Sequence, residues 1–175
     1  MAMAPGGGRL VVVLEGAVPG DEASSRRVYA YDTHSDRFAR LGDYRVEVAG
    51  HFVADAQLRH GRLLVLERDG GLGVTATFRR VYDVALARPG QSSAKRTIVD
   101  LAAIPDPDLV SLPPIHPGDV GLGNPFQVTC ESIEALYVQS GSRLLLGCDN
   151  NFPNSGRNPG LADDNELIVV EVAAG

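Results

Sequence analysis

Short runs of aliphatic residues, each bounded by Gly, Asn, Asp or Pro, recur along the chain and predict strands rather than helices. Three of these runs are nearly interchangeable, since each begins with arginine and ends near a carboxylate; they start at Arg9, Arg62 and Arg143. Each is followed, after a polar interval, by a second strand-like run. The predicted strands cover 9–15, 26–32, 37–48, 51–58, 62–68, 78–87, 95–101, 130–138, 143–149 and 165–172.

The recurrence of these runs indicates a repeat protein. The arginine-led runs start 53 and then 81 residues apart, and a proline-rich loop between 103 and 123 lengthens the second interval. Four antiparallel strands in about 50 residues have the size of a β-propeller blade. We therefore expect an all-β, β-propeller-like fold of antiparallel four-stranded blades, with a β-sandwich as the alternative. The expected units lie near 9–48, 49–123 and 124–175, after a flexible N-terminus at 1–8.

The expected propeller is incomplete, with about two and a half blades. The first unit offers no strand before Arg9, because 1–8 is short and glycine-rich, and the last unit offers no fourth strand. Closed propellers have four to eight blades. We therefore expect part of a longer propeller or a truncated fragment. Its open sheet edges would expose unpaired backbone groups and favour self-association.

Composition narrows the class of protein. Sixteen basic and 22 acidic residues give a net charge of −6, which argues against a nucleic-acid-binding surface. The chain is 44% hydrophobic and 22% charged, as globular proteins are. No apolar run approaches the ~18 residues of a membrane span, and no signal peptide is visible. We expect a soluble domain, and its cellular compartment stays open.

Carboxylates recur at equivalent positions of the repeats. Glu67 and Asp149 end the second strand of their units, Asp69 lies just beyond Glu67, and Glu134 lies within a first strand. Because the blade ends of a propeller gather around one ring, these groups would meet on one face. Gathered oxygen ligands suit calcium or magnesium. For any single carboxylate, a solvated turn residue is the alternative interpretation.

The densest polar stretch is CDNNFPNSGRNPGLADDNE, at 148–166. Its spacing differs from that of an EF-hand, and its Asn, Asp and Gly residues also suit ordinary turns. Both a site and plain turn chemistry therefore stay open. Arg157 offers a planar fork for an anion. The oxygen donors of this stretch are Asp149, Asn150, Asn151, Asn154, Asn158, Asp163, Asp164, Asn165 and Glu166.

Other catalytic classes find little support in the sequence. There is no GxSxG nucleophile elbow and no phosphate-binding glycine loop, and the four histidines lack zinc-site spacing. Cys130 and Cys148 flank a predicted hairpin in which Ile133 would face Cys148. Cys130 would then lie three positions away, so we expect two free thiols.

Three stretches resemble the phytase-like family, also described as "esterase-like activity of phytase". They are LLVLERDGG…FRRVYDV at 63–84, IPDPD at 104–108, and ESIEAL…LLLGCDNNFPNSGRNPGLADDNELIVVEV at 131–172. The resemblance runs from about Arg9 to Val172. It implies the C-terminal half of a longer β-propeller.

The resemblance also implies hydrolysis of a small-molecule phosphate ester or other ester. We expect metal-assisted hydrolysis, in which calcium binds the phosphate and helps to activate water. The alternative is a non-catalytic β-propeller binding segment, or a fragment without independent activity. The expected catalytic residues are Glu67, Asp69, Glu134 and Asp149; the substrate-binding residues are Arg68, Arg157 and Asn150; the metal ligands are Asp149, Asn151, Asp163, Asp164 and Glu166.

Overall fold

The computed structural model describes residues 1–4, 6–86, 88, 91 and 93–173. This part of the chain is all-β, with three antiparallel sheets and one short 3-10 helix, Gly73–Thr75, which is far too short to cross a membrane. Its strands are β1 (Ala2–Met3), β2 (Arg9–Val13), β3 (Ser25–Asp32), β4 (Arg37–Arg45), β5 (Phe52–Arg59), β6 (Arg62–Arg68), β7 (Arg79–Ala85), β8 (Ala94–Asp100), β9 (Ser132–Val138), β10 (Arg143–Asp149) and β11 (Leu167–Glu171).

Each sheet pairs strands that follow one another in the chain. Sheet 1 has the order β1-β2-β3-β4, sheet 2 the order β5-β6-β7-β8, and sheet 3 the order β11-β10-β9. Such meanders need only short connections, which the Gly, Asn and Asp turns between the strands supply. None of the three sheets closes on itself within the described residues.

Sheet 2 lies between the other two sheets, and β6 shows why. From Leu63 to Arg68 every residue of β6 is buried, as expected for a strand that is covered on both faces. Its side chains alternate between two cores. Leu63 and Val65 pack with residues of sheet 1, whereas Leu64 and Leu66 pack with residues of sheet 3.

The first strands of the three sheets lie side by side. Strand β5 contacts β1 and β2 on one side and β9 on the other. Asp55 in β5 joins all three sheets, because its Oδ2 accepts the N–H of Leu136 at 2.9 Å and its Oδ1 lies 3.2 Å from the Met1 ammonium. The sheets therefore meet at their first strands.

The predicted strands are all present, with ends that differ by at most three residues. The predicted end of the strand at 78–87 falls on Ala87, which lies outside the described residues. The prediction that no strand precedes Arg9 is wrong. Ala2 pairs with Val11 and Met3 with Leu10, and Ala2 is buried in the core between sheets 1 and 2. Two residues suffice because the glycine-rich segment after them turns the chain back onto β2.

Cys130 and Cys148 form a disulfide, with Cα atoms 6.2 Å apart, so the prediction of two free thiols is wrong. Ile133 does face Cys148, as predicted. However, β9 begins only at Ser132, and Cys130 therefore lies outside the regular ladder. A bulge between Gly147 and Cys148 also shifts the register. The thiols can meet because both strands are irregular at the open end of this hairpin.

Candidate active site

The last two residues of β6 divide the predicted site into two groups. Adjacent side chains of a strand point to opposite faces of its sheet. Glu67 therefore points towards sheet 1, where it contacts Tyr44, and Arg68 points towards sheet 3, where it contacts Glu134. Residues that are neighbours in the sequence thus belong to different environments.

Glu67 is completely buried between sheets 1 and 2. Its Oε2 accepts the Tyr44 hydroxyl at 2.5 Å and the Lys95 ammonium at 3.1 Å. Its Oε1 accepts the backbone N–H of Glu47 at 2.7 Å and lies 2.8 Å from His51 Nδ1. Burial, and then the Glu67 charge, raises the pKa of Tyr44 far above its ordinary value. Glu67 therefore links sheets 1 and 2, and both of its carboxylate oxygens accept hydrogen bonds.

The other predicted strand-end residues lie around Arg68. Its Nη2 is 3.2 Å from Glu134 Oε1 and 3.5 Å from Ser132 Oγ, and its Nη1 donates to the carbonyl of Asp69 at 3.2 Å. Asp149 pairs with Ser132 across β10 and β9. Asp69, Glu134 and Asp149 therefore lie at the same end of sheets 2 and 3, as the repeat argument expected.

Asp69 organises the loop that follows β6. Its Oδ2 accepts the N–H groups of Thr77 and Phe78, both at 2.9 Å, and its Oδ1 accepts the N–H of Gly71 at 3.2 Å. Arg79 Nη1 lies 3.7 Å away. Burial raises the pKa of Asp69, but these N–H donors outweigh it and hold the pKa below its ordinary value of 3.8.

We expect Asp69→Asn to lower the free energy of unfolding at pH 7 by about 1–3 kcal/mol, because charge-assisted hydrogen bonds to the loop are lost. A carboxyl whose pKa is lower in the folded state stabilises the fold above its unfolded pKa and loses this effect as pH falls through its folded pKa. The difference from the wild type should therefore shrink below about pH 4. Urea unfolding at pH 7 and pH 3 measures it. A difference that is constant with pH would contradict the assignment.

Arg79 was not among the predicted site residues, although it is fully buried beside them. Its Nη2 donates to the carbonyls of Gly71 at 2.7 Å and Glu131 at 3.3 Å, and it also contacts the carbonyl of Cys130. Burial lowers the pKa of Arg79 to about 10, which leaves it charged at neutral pH. It fastens the loop after β6 to the segment before β9. In the sequence, the one feature that marks Arg79 is its position at the start of a predicted strand.

A cavity of about 680 Å³ lies between the proline-rich loop and the polar loop at 148–166. Two residues of the polar loop hold the proline-rich loop in place. Arg157 Nη1 donates to the carbonyl of Val120 at 2.5 Å, and Asn158 Nδ2 donates to the carbonyl of Pro117 at 3.0 Å and to Asp119 Oδ1 at 2.9 Å. The two loops thus build one site, although they lie far apart in the sequence.

The polar wall of this cavity carries three of the predicted metal ligands, Asp163, Asp164 and Glu166, and the predicted anion ligand Arg157. Arg157 Nη2 donates to Glu166 Oε1 at 2.7 Å, and the guanidinium lies over the Phe126 ring at 4.8 Å from its centre. The predicted anion ligand is therefore already paired with a carboxylate.

Asp163 is 7% exposed and uses only one of its oxygens. Its Oδ1 accepts the N–H groups of Gly156 at 2.7 Å and Arg157 at 3.0 Å. Its Oδ2 is buried and has no hydrogen-bond partner among the residues that the structure describes. One oxygen of this cavity-lining carboxylate therefore lacks a partner in the described part of the chain.

The remaining predicted residues lie outside the cavity wall. Asp149 and Asn150 are exposed after β10, and Asn151 is half-buried. Across the described ranges, no three side chains of His, Cys, Asp or Glu are grouped in a way that could hold a metal ion. The predicted calcium ligands therefore do not form a ready-made cluster, and calcium stays a prediction.

Three antiparallel sheets and a ligand-sized cavity define an all-β domain with a candidate small-molecule site. The chain belongs to the Phytase-like family, described as "Esterase-like activity of phytase", whose profile matches residues 1–152. The resemblance predicted from the sequence is thus confirmed, although the match ends inside the polar loop and leaves Arg157, Asp163, Asp164 and Glu166 beyond it. No curated protein and no solved structure matches the chain significantly.

Proposed function

We propose that this domain hydrolyses a small-molecule phosphate ester with the help of a divalent cation. The observation that carries the proposal is the cavity with its wall of carboxylates. Its volume of about 680 Å³ is within the range of small-molecule sites. Family membership supports a hydrolase-type reaction.

Among the described residues, the carboxylates of the cavity wall do not form a metal site by themselves, so calcium would bind here only together with oxygens of the substrate. Hard cations take carboxylate oxygens and accept further oxygens from phosphate groups or water. Asp163, Asp164 and Glu166 would hold the ion, which would polarise the phosphate and help to activate water. Arg157 would orient a phosphate oxygen only with N–H groups that its contacts with Val120 and Glu166 do not use.

We also propose that the three sheets are blades of a β-propeller-like arrangement. The contacts of β5 with β1 and β9, and the position of Asp55 between the sheets, support this interpretation. Strands β4 and β8 end their sheets, and β9 and β11 are the two end strands of sheet 3. Self-association through such edge strands stays a prediction.

Hydrolysis of p-nitrophenyl phosphate, measured after EDTA treatment and again after addition of calcium, tests the proposed function. We expect activity only with calcium. Asp164→Asn should lower that activity at least about tenfold, because a carboxylate ligand is lost. Asp108→Asn, an exposed carboxylate of the proline-rich loop outside the cavity wall, is the matched control and should have no effect.

A second variant distinguishes the cavity from the strand ends. Asp149→Ala is expected to abolish calcium-dependent activity if the carboxylate after β10 takes part. Loss of activity in Asp149→Ala together with full activity in Asp164→Asn would show that the active site lies at the end of sheets 2 and 3 and not in the cavity. Activity that EDTA leaves unchanged would contradict a metal-assisted reaction.

A further inference from the structure

The charges of the cavity wall are strongly unbalanced. Its carboxylates face a single guanidinium, that of Arg157, which is already paired with Glu166. His116 adds a positive charge only when it is protonated. The backbone N–H of His116, and then the Asn158 amide, lower the pKa of Asp119, so it is ionised at neutral pH. The carboxylates of the wall are Asp119, Asp163, Asp164 and Glu166.

The cavity is also lined by apolar side chains, two of which are unusually exposed. Ile115 is 87% exposed and Val110 is 85% exposed, although both are large hydrophobic residues. Apolar side chains gathered around an opening are typical of binding sites. The apolar wall is formed by Val110, Pro113, Ile115, Leu122, Phe126 and Leu161.

The apolar wall is held in a fixed place. Asp106, itself buried, accepts the N–H groups of Val110 at 2.9 Å and Ser111 at 3.1 Å, and also the Ser111 hydroxyl at 2.6 Å. Arg157 and Asn158 fasten the other end of the same loop. The cavity is therefore preorganised, which reduces the entropic cost of binding.

Asp163 Oδ2 supplies the specific point of recognition. A buried oxygen without a hydrogen-bond donor is unfavourable, and it is more so when it carries charge. Within the described part of the chain no donor reaches it. A ligand with a positively charged nitrogen in the cavity would compensate the charge of this carboxylate.

We infer that this cavity binds a small organic cation, with an apolar body of aromatic or branched aliphatic carbons and one ammonium nitrogen. The nitrogen lies against Asp163 and the neighbouring carboxylates, and the body lies against Ile115 and the rest of the apolar wall. This binding goes beyond ester hydrolysis and does not depend on it. A divalent cation at Asp163 would compete with the ammonium group.

Titration of the full chain with phenethylammonium at pH 7, in EDTA and followed by NMR, tests the inference. The neutral 2-phenylethanol and the anionic 3-phenylpropionate have similar apolar bodies and serve as comparisons. We expect the cation to bind at least about tenfold more tightly than the alcohol, since a charged hydrogen bond replaces a neutral one. The anion should bind most weakly, because it meets the same carboxylates.

Asp163→Asn tests the contribution of the negative charge of Asp163 alone, because the amide has nearly the same size and shape as the carboxylate. Its Oδ1 can still accept the N–H groups of Gly156 and Arg157, while an amide replaces the oxygen that lacks a partner. We expect most of the preference for the cation over the alcohol to be lost, while the other carboxylates of the wall keep a small part of it. Ile115→Ser should weaken cation and alcohol alike by about threefold or more, because apolar contact is lost. Val74→Ser, a 78% exposed residue outside the cavity wall, should change neither.

Equal affinity of the wild type for cation and alcohol would overturn the inference, as would an unchanged preference in Asp163→Asn. If NMR shows that Asp163→Asn disturbs the polar loop, Asp164→Asn carries the charge test. Its side chain is exposed, so the fold should be kept, and the affinity for the cation alone should fall about two- to threefold. An absence of phosphate-ester hydrolysis would leave these binding results unaffected, so the two proposals fail separately.

Discussion

Glu67→Ala is expected to lower the free energy of unfolding by about 3–5 kcal/mol, which is enough to unfold many domains of this size. The carboxylate is completely buried between sheets 1 and 2. Its removal would leave the Tyr44 hydroxyl, the Glu47 N–H and part of the Lys95 charge without their acceptor. When one partner of a buried ionic network is deleted, the remaining groups are left without their charge or hydrogen-bond partner in a low-dielectric environment. Urea unfolding measures the loss.

Glu134→Ala is the matched control for Glu67→Ala. Glu134 also pairs with a basic side chain, Arg68, but it is 49% exposed at its side chain. Exposed ion pairs contribute about 0–1 kcal/mol. A similar, small loss for both variants would show that Glu67 does not tie the sheets together, and would reopen its predicted catalytic role.

The strands could be predicted because local patterns determine most of them. In β6 and β10 an arginine, an aliphatic run and a turn define both ends, and the structure matches the predicted bounds. Strand β1 could not be predicted, since two residues carry no periodicity. Strand β1 is held in place by Ala2, which packs in the core between sheets 1 and 2. Similarly, the disulfide depends on a bulge and on an irregular approach to β9, neither of which a regular register includes.

The candidate site was predictable only in part. Repetition grouped Asp69, Glu134 and Asp149, and these three residues lie at one end of sheets 2 and 3. It placed Glu67 with them, although the two-residue period of β6 turns Glu67 and Arg68 to opposite faces. A strict use of that period separates Glu67 from Arg68, but it does not separate Glu67 from Asp69, which lies two positions on and just beyond the end of β6.

The cavity could not be predicted from the sequence, because it forms between two loops that come from separate parts of the chain. In the sequence the proline-rich loop lengthens the interval between repeats and carries IPDPD, whereas in the structure it supplies four of the six residues of the apolar wall, namely Val110, Pro113, Ile115 and Leu122. Arg157 was expected to bind an anion, but its position beside Glu166 and Phe126 engages it within the protein. Recognition depends on the excess of carboxylates over basic side chains in the cavity wall. That excess depends on which charged side chains the fold brings together as ion pairs.

Removal of the disulfide should have the second largest effect on stability. We expect the double variant Cys130→Ala and Cys148→Ala to lose about 3 kcal/mol of unfolding free energy. The bond closes a loop between residues 18 positions apart, which restricts the unfolded chain. In the folded state it fixes the start of the polar loop to the segment that Arg79 also holds. Cys130 lines the cavity, so its wall should loosen and the binding of phenethylammonium should weaken.

Reduction of the wild type provides the independent control for this prediction. Dithiothreitol should lower the wild-type stability towards that of the double variant and leave the variant itself unchanged, because the variant has no disulfide to lose. Both losses should come with NMR shifts that are concentrated in the polar loop, whereas sheet 1 contains neither cysteine and should be little affected. A double variant as stable as the oxidised wild type would show that hydrogen bonds from Arg79, Arg157 and Asn158 hold the loops without the covalent bond.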